Sequence, residues 1–356
     1  MLRWMSRRNI HFKLDSAHPK AAAHHQKIVV IDDVIAFCGG IDITADRWDT
    51  REHRDEDPRR VRPTTKRRYG PWHDATGAVD GHVARALGDL ARSRWKSATG
   101  DELAPPPPTS PIWPKGLEPH LWDIDVAIAR TLPEYGDQRE VREVEAFYLA
   151  AIAAAQRSIY IESQYFASRR IAEAMANRLR EPAGPEIVVV NPESADGWLE
   201  EAAMGSARAR LLRMIREVDA HHRFRIYSPV TEGGEPIYVH AKIMTVDDRL
   251  LRLGSSNLNN RSMGYDTECD LIVDADRQGR PPEVAASIRR FRTDLLSEHL
   301  GKSTDEVEAA LAHGSLIRAI EALRGPRRSL RPFQPDTGLF GETLAESDLL
   351  DPEGVA

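Results

Sequence analysis

Cysteine is nearly absent: Cys38 and Cys269 are the only two in 356 residues. Each lies in an apolar, strand-like run, so a disulfide framework and a cysteine-rich metal site are both excluded, and the two are expected in the core. Long hydrophobic runs are missing as well. No stretch reaches the roughly eighteen apolar residues of a membrane span, and Met1 to Leu14 is too polar and basic for a secretory signal; the chain as written is expected to be soluble, at most peripheral at a membrane. There is no cationic excess. A formal net charge of −6 argues against a protein that coats nucleic acid. Neither a G-x-S-x-G elbow for a serine nucleophile nor a G-x-x-x-x-G-K phosphate loop occurs. The pairs His24-His25 and His221-His222 are adjacent in sequence and cannot both face one site from a strand, so no metal ligand set is offered and neither metal nor cofactor is expected.

What the chain does contain is a repeat. The segment His25-Gln26-Lys27-Ile28-Val29-Val30-Ile31-Asp32 returns as His240-Ala241-Lys242-Ile243-Met244-Thr245-Val246-Asp247, with the same H-x-K-x-x-x-x-D spacing. Each copy continues through an Asp-Asp pair (Asp32-Asp33, Asp247-Asp248), a short apolar stretch and a small-residue pair, Gly39-Gly40 or Gly254-Ser255, at the same offset. Duplicated halves that share one site are the simplest reading.

The β-branched runs Gln26–Ile31 and Val34–Phe37 predict strand, tight turn, strand, and Lys242–Val246 with Leu250–Leu253 predict the same. A strand over Trp72–Val79 and a helix over His82–Ser97 follow the first hairpin; Cys269–Val273 and Pro282–Leu300 follow the second in the same order. The charged stretch Arg51 to Arg68 is extra in the first copy and is expected to form a surface loop. Pro105 to Pro108, with Pro111, Pro114 and Pro119, form a stiff linker. Beyond it the pattern predicts a helix (Val141–Gln156), a strand (Ser158–Tyr165), a helix (Arg169–Leu179), a buried strand (Glu186–Val190), a helix (Trp198–Val218) and a strand (Arg223–Tyr227). Alternating strands and helices predict an α/β fold with sheets covered by helices. The expected organisation is a first lobe at 1–101, a Pro-rich linker at 102–122, a second lobe at 123–324 and an extended tail at 325–356. Only twenty-four residues precede His25, whereas more than a hundred separate Asp123 from His240. If both lobes share a fold, roughly ninety residues of the first are expected to be missing from this chain.

Residues two apart on a strand share a face, so His25 projects with Lys27 and His240 with Lys242. A neighbouring ammonium depresses a histidine pKa and favours the neutral, nucleophilic ring. Such a unit suits attack on an anion. Two units brought together would supply two lysines for phosphoryl oxygens, one histidine to attack phosphorus and one to protonate the leaving oxygen. Asp32 and Asp247 begin hairpin turns, where turn capping is as good a reading as catalysis.

At these residues the chain resembles the phospholipase D superfamily, whose hallmark is the paired H-x-K-x-x-x-x-D motif. Further segments resemble the phosphatidylcholine-type phospholipases D: Gly39-Gly40-Ile41-Asp42 leading to Arg47-Trp48-Asp49, then Pro71-Trp72-His73-Asp74, Ile159 to Phe166, and Gly254 to Ser262. The resemblance implies two pseudo-twofold related lobes, each a mixed sheet flanked by helices, with the first lobe incomplete at its N-terminus. It also implies cleavage of the distal phosphodiester bond of a glycerophospholipid through a phosphohistidine, giving phosphatidic acid with water or a transphosphatidylated lipid with a primary alcohol. His25 is then the expected nucleophile and His240 the general acid, with Lys27 and Lys242 on the phosphate and Asp32 and Asp247 completing the catalytic motifs. Asn257, Ser255 and Gly40 are expected to bind phosphate, and Asp42 replaces Asn257 in the first copy. Glu268 is expected to orient His240, and Asp49 to orient His25. The expected partners are a phospholipid at a membrane surface and a water or alcohol acceptor, with no nucleic acid, for a monomeric chain. A cardiolipin synthase-like phosphatidyl transferase and a catalytically inactive lipid-binding member are the alternatives. Two motifs in one acidic chain speak against a nuclease.

Overall fold

The computed structural model describes residues 9–110, 112–194, 204–334 and 351. Both repeat motifs fold as the β-branched pattern predicts. Asp32 and Asp33 take φ of +50° and +56°, and Asp247 and Asp248 take +55° and +59°. Two successive residues at positive φ make a tight hairpin turn that matches strand twist, and Asp tolerates that region better than a β-branched residue does. The second aspartate of each pair is then tied to the long helix of its own half: Asp33 accepts from Arg92 at 2.8 and 3.0 Å, and Asp248 pairs with Arg292 at 2.6 Å.

The first half comprises β1 (Ile28–Ile31), β2 (Ile35–Gly39), β3 (Trp72–His73), β4 (Thr76–Asp80) and α1 (Gly81–Thr99). After the linker come β5 (Ala127–Leu132), β6 (Val141–Arg142), α2 (Glu143–Ala154), β7 (Ser158–Glu162), α3 (Arg169–Arg180), β8 (Glu186–Val190), α4 (Ser206–Val218) and β9 (Phe224–Val230). The second motif opens β10 (Tyr238–Val239), β11 (Ile243–Val246), β12 (Leu250–Gly254), α5 (Asn260–Gly264), β13 (Glu268–Asp274) and α6 (Pro281–Leu300). Then follow α7 (Thr304–Leu311), α8 (Leu316–Leu323) and β14 (Ser329–Pro332). The order β1, β2, β4, α1 thus recurs as β11, β12, β13, α6.

One mixed sheet of nine strands runs β14-β9-β8-β7-β11-β12-β13-β5-β6, and a second, antiparallel sheet runs β1-β2-β4. Period-two burial divides the large sheet's core. Ile159, Ile161, Met244 and Val246 pack with residues of α2, α3 and α4 on one face, while Tyr160, Val188, Val190 and Ile243 pack with residues of α6, α7 and α8 on the other. The two sheets meet where Ala36 and Cys38 contact Cys269 and Leu271 beneath α1. Both cysteines are free and buried there, as their apolar surroundings predict.

Several elements depart from the sequence pattern. The strand expected over Trp72–Val79 breaks at Asp74-Ala75, because β3 pairs in parallel with β10 of the second motif whereas β4 pairs with β2. Strand β5 lies between β13 and β6 and is not among the strands the sequence pattern predicts, although Pro133 and Gly136 follow it. Within the expected tail, residues 329–332 form β14, antiparallel to β9; the rest beyond 334, apart from Asp351, lies outside the described residues, as does the start of the helix expected from Trp198. Finally, β11 pairs with both β12 and β7, while among the described residues β1 pairs with β2 alone. Val29 and Ile31 are accordingly 36% and 47% exposed, where their counterparts Met244 and Val246 are buried.

Candidate active site

Each motif histidine sits just before a strand of its own half and bonds to the other half. The His25 amide donates to the Thr267 carbonyl at 3.0 Å, and the His240 amide donates to the His73 carbonyl at 2.8 Å. The next residue along each of those partner segments is an acid. His25 Nδ1 lies 2.9 and 3.0 Å from the two oxygens of Glu268, and His240 Nδ1 lies 2.8 Å from Asp74 Oδ2. Glu268 and Asp74 are structural equivalents: Gly254 pairs with Asp270 and Gly39 with Thr76, and each acid lies two residues before that partner. A carboxylate on Nδ1 makes that nitrogen the donor and leaves Nε2 as the free, nucleophilic nitrogen of the neutral ring.

This crossing corrects two expectations. Glu268 orients His25, not His240, and Asp49 touches neither motif histidine. Asp49 instead accepts from the Trp72 amide and pairs with His53, both at 2.9 Å, with Arg60 at 3.2 Å. Asp74, the true partner of His240, was not singled out from the Pro71-Trp72-His73-Asp74 segment. Removing the Arg51–Arg68 insertion and aligning the strand ends would have found it.

The lysines project beside the histidines. Lys27 Nζ donates to the His25 carbonyl at 2.8 Å and lies 3.4 Å from Asp42; Lys242 Nζ donates to the His240 carbonyl and lies 3.3 Å from Gln164 Oε1. Burial, reinforced by the charge of Lys27 and opposed by Asp74, Glu268 and Asp42, lowers the Lys242 pKa to about 7. Burial and the Lys242 charge lower His240 to about 4 against the pull of Asp74. Burial works to raise Glu268, but the charge of His25 and hydrogen bonds from His25, Ser255 and Ser262 outweigh it and hold the carboxyl at about 2. Glu268 and Asp74 thus stay ionised, while Lys242 sits near the edge of protonation at neutral pH.

Of the three expected phosphate ligands, two have other duties. The Gly40 amide donates to the Ala75 carbonyl at 2.9 Å, and a Cβ there would lie 2.5 Å from Asp74 Oδ1 and 3.0 Å from the His240 carbonyl. Gly40 therefore permits close approach of the two halves. Ser255 Oγ donates to Glu268 at 2.5 Å and accepts the Cys269 amide at 3.0 Å, so it steadies the carboxylate. Asn257 differs: it is buried, and its side-chain Oδ1 has no hydrogen-bond partner among the described residues. At the matching position Asp42 is held by Lys27 and Arg47.

Asp32 and Asp247 are not brought to the site. They lie at the far ends of β1 and β11, five residues and roughly 16 Å from the lysines at about 3.3 Å per residue. Asp247 accepts from the amides of Gln156, Arg157 and Ser158 at 2.6–2.8 Å, so its work is to cap the loop before β7. As for metals, two overlapping groups, His53 with His73 and Glu298, and His73 with Glu162 and His299, gather ligand-type atoms within 4.8 Å; they lie one residue from Asp74 rather than on the motif histidines.

Fold and site together define a class: proteins built of two H-x-K halves, each histidine here being held by an acid of the other half. The family model described as "Phospholipase D" matches residues 4–105, and that described as "Cardiolipin synthase, PLD-like domain" matches residues 148–294. The chain belongs to the phospholipase D superfamily. It is 26% identical over 381 residues to Phospholipase D1 of Schizosaccharomyces pombe, covering 80% of this chain and 28% of that protein. It is 25% identical over 256 residues to Cardiolipin synthase A of Yersinia pseudotuberculosis, covering 72% of this chain and 45% of that protein. The chain thus spans less than half the length of these curated relatives. Among solved structures, the phosphatidylserine synthase of Haemophilus influenzae matches with a TM-score of 0.49 at 15% identity, over 83% of this chain and 71% of that one.

Proposed function

We propose that the chain carries the reaction centre of a phospholipase D, acting on a phosphatidylcholine-like glycerophospholipid. The observation that carries this reading is the exchange of acids: each histidine is supplied by one half and oriented by the other, which makes one site of two motifs. In the reaction, His25 Nε2 attacks phosphorus, the bond from phosphorus to the headgroup oxygen breaks, and His240 gives its proton to that oxygen. Water or a primary alcohol, surrendering its proton to His240, then attacks the phosphohistidine and frees His25. Lys27, Lys242 and Asn257 hold the non-bridging oxygens. A bound phosphodiester anion offsets the Lys242 charge that depresses His240 and favours its protonated form. The lowered pKa of the free ring equally supports the reverse assignment, with neutral His240 attacking and the less buried His25 donating.

No described helix is long and apolar enough to cross a membrane. Ile43, 86% exposed beside the Lys27-bound Asp42, supports a substrate met at a lipid surface. The test is incubation with phosphatidylcholine vesicles and ethanol. Phosphatidylethanol is expected, and its absence with a folded chain leaves lipid binding without turnover. The match of the second half to a cardiolipin synthase domain supports a second reading, phosphatidyl transfer to another glycerophospholipid, for which phosphatidylglycerol vesicles should yield cardiolipin.

A further inference from the structure

Behind the His240 centre lies a buried histidine–carboxylate cluster that the reaction above does not use. His73 Nε2 is 2.6 Å from Glu162 Oε2, and His73 Nδ1 is 2.8 Å from Glu298 Oε1. Glu162 comes from β7 and Glu298 from α6, so one ring of the first half is gripped by two elements of the second. Around it, Glu162 Oε1 accepts from Tyr160 at 2.5 Å and faces His299 Nε2 at 2.9 Å. Glu298 also meets His53 Nε2 at 3.0 Å and Arg51 at 2.8 Å. Two acceptors on opposite ring nitrogens demand two N–H groups, which is the imidazolium form. Burial opposes that charge, but Glu162 and the hydrogen bonds to both carboxylates push the His73 pKa well above the ordinary value. A metal fits these atoms poorly. Separations of 2.6–2.9 Å are shorter than the roughly 3.3 Å edge of a tetrahedron with bonds of about 2.0–2.1 Å, whereas they suit a shared proton.

The position of the clamp gives it a task. Residue 73 pairs with Val239 in the β3–β10 ladder, its carbonyl takes the His240 amide, and the next residue is Asp74. We propose that His73 is a positioning residue: clamped between Glu162 and Glu298, it fixes the short strand that aims Asp74 at His240 Nδ1. Thr267 occupies the corresponding place before Glu268, and among the described residues its hydroxyl bonds to His24 alone, at 3.3 Å. The two acids are therefore held by different means: Asp74 through the clamped residue before it, and Glu268 by its place on β13 and by Ser255 and Ser262.

The inference rests on the reading of His240 as a reacting group, but its first test needs no substrate. In protein labelled with nitrogen-15 at histidine, the His240 Nδ1 proton bonded to Asp74 gives a downfield resonance that Asp74→Asn removes. His73→Gln, which keeps one hydrogen bond and loses the charge, is expected to shift or broaden that resonance in a folded protein. In turnover, His73→Gln should lower kcat by about tenfold or more with KM within about twofold. Added to Asp74→Asn it should lower kcat by less than about twofold further, because it acts through that residue. An unchanged resonance in folded His73→Gln overturns the proposal, as does a full multiplicative loss in the double variant. Should His73→Gln not fold, Glu298→Gln, which leaves Glu162 to hold the ring, must still move the resonance; no movement overturns it equally. If the wild type turns over no lipid, the failure falls on the proposed function, and the resonance still decides the clamp.

Discussion

Replacing Glu268 by Gln tests the crossing of the two halves. A carboxyl held at about 2 instead of 4.5 favours its anion in the fold by roughly 3 kcal/mol, at about 1.36 kcal/mol per pH unit. His25, Ser255 and Ser262 share that interaction, so about 1–2 kcal/mol falls on the imidazole that becomes charged as His25 reacts. Glu268→Gln should therefore lower kcat/KM for a phosphodiester by roughly 5- to 30-fold. The companion readout is the Nδ1 proton of His25, assigned with His25→Ala: it should disappear in Glu268→Gln while the His240 proton persists. Asp74→Asn should do the reverse. Loss of the His240 proton in Glu268→Gln, or wild-type turnover in that variant, would refute the crossed pairing.

Three further outcomes follow from the same geometry. Lys242, with its pKa near 7, is cationic below that pH and neutral above it, so KM should rise by up to about tenfold per unit above pH 7; a KM flat from about pH 6 to 9 contradicts the assignment. Glu268, lowered to about 2, contributes roughly 3 kcal/mol of stability that is fully present above pH 4.5 and lost as the pH falls towards 2. Glu162 and Glu298, also lowered, steepen that loss, and urea midpoints against pH will show it as a decline on the acid side. Arg252 and Asp270, both fully buried and 2.7 Å apart, form an ion pair whose half-removal by Asp270→Asn should cost about 3–5 kcal/mol in urea unfolding.

How much of this was readable beforehand divides along a physical line. The repeat, both hairpins, the pairing of each histidine with its lysine and the helices α1 and α6 were visible in the sequence, because turn chemistry and period-two patterning are local. The partner of each histidine was not. It depends on how two sheets face each other, and neither Glu268 nor Asp74 carries a mark of which half it will serve. The small residues misled for a related reason: Gly40 and Ser255 read as room for phosphate, yet that room is filled by Asp74 and Glu268. The final aspartate of each motif misled as well, since its place in the motif hides that strand rise carries it away from the chemistry. His73 was in view within Pro71 to Asp74, but both carboxylates that give it meaning come from the other half of the chain.

The central claim is that one histidine from each repeat meets in a single phosphoryl-transfer centre. Rapid acid-free quenching after mixing with a phospholipid radiolabelled in its phosphate, followed by peptide mapping, tests it most directly. The account predicts an acid-labile, alkali-stable label on the His25 peptide, absent in His25→Ala, with the label on His240 reversing only the order of the two roles. A protein that turns over lipid yet carries no label on either histidine, or carries it outside the two motifs, would contradict the account.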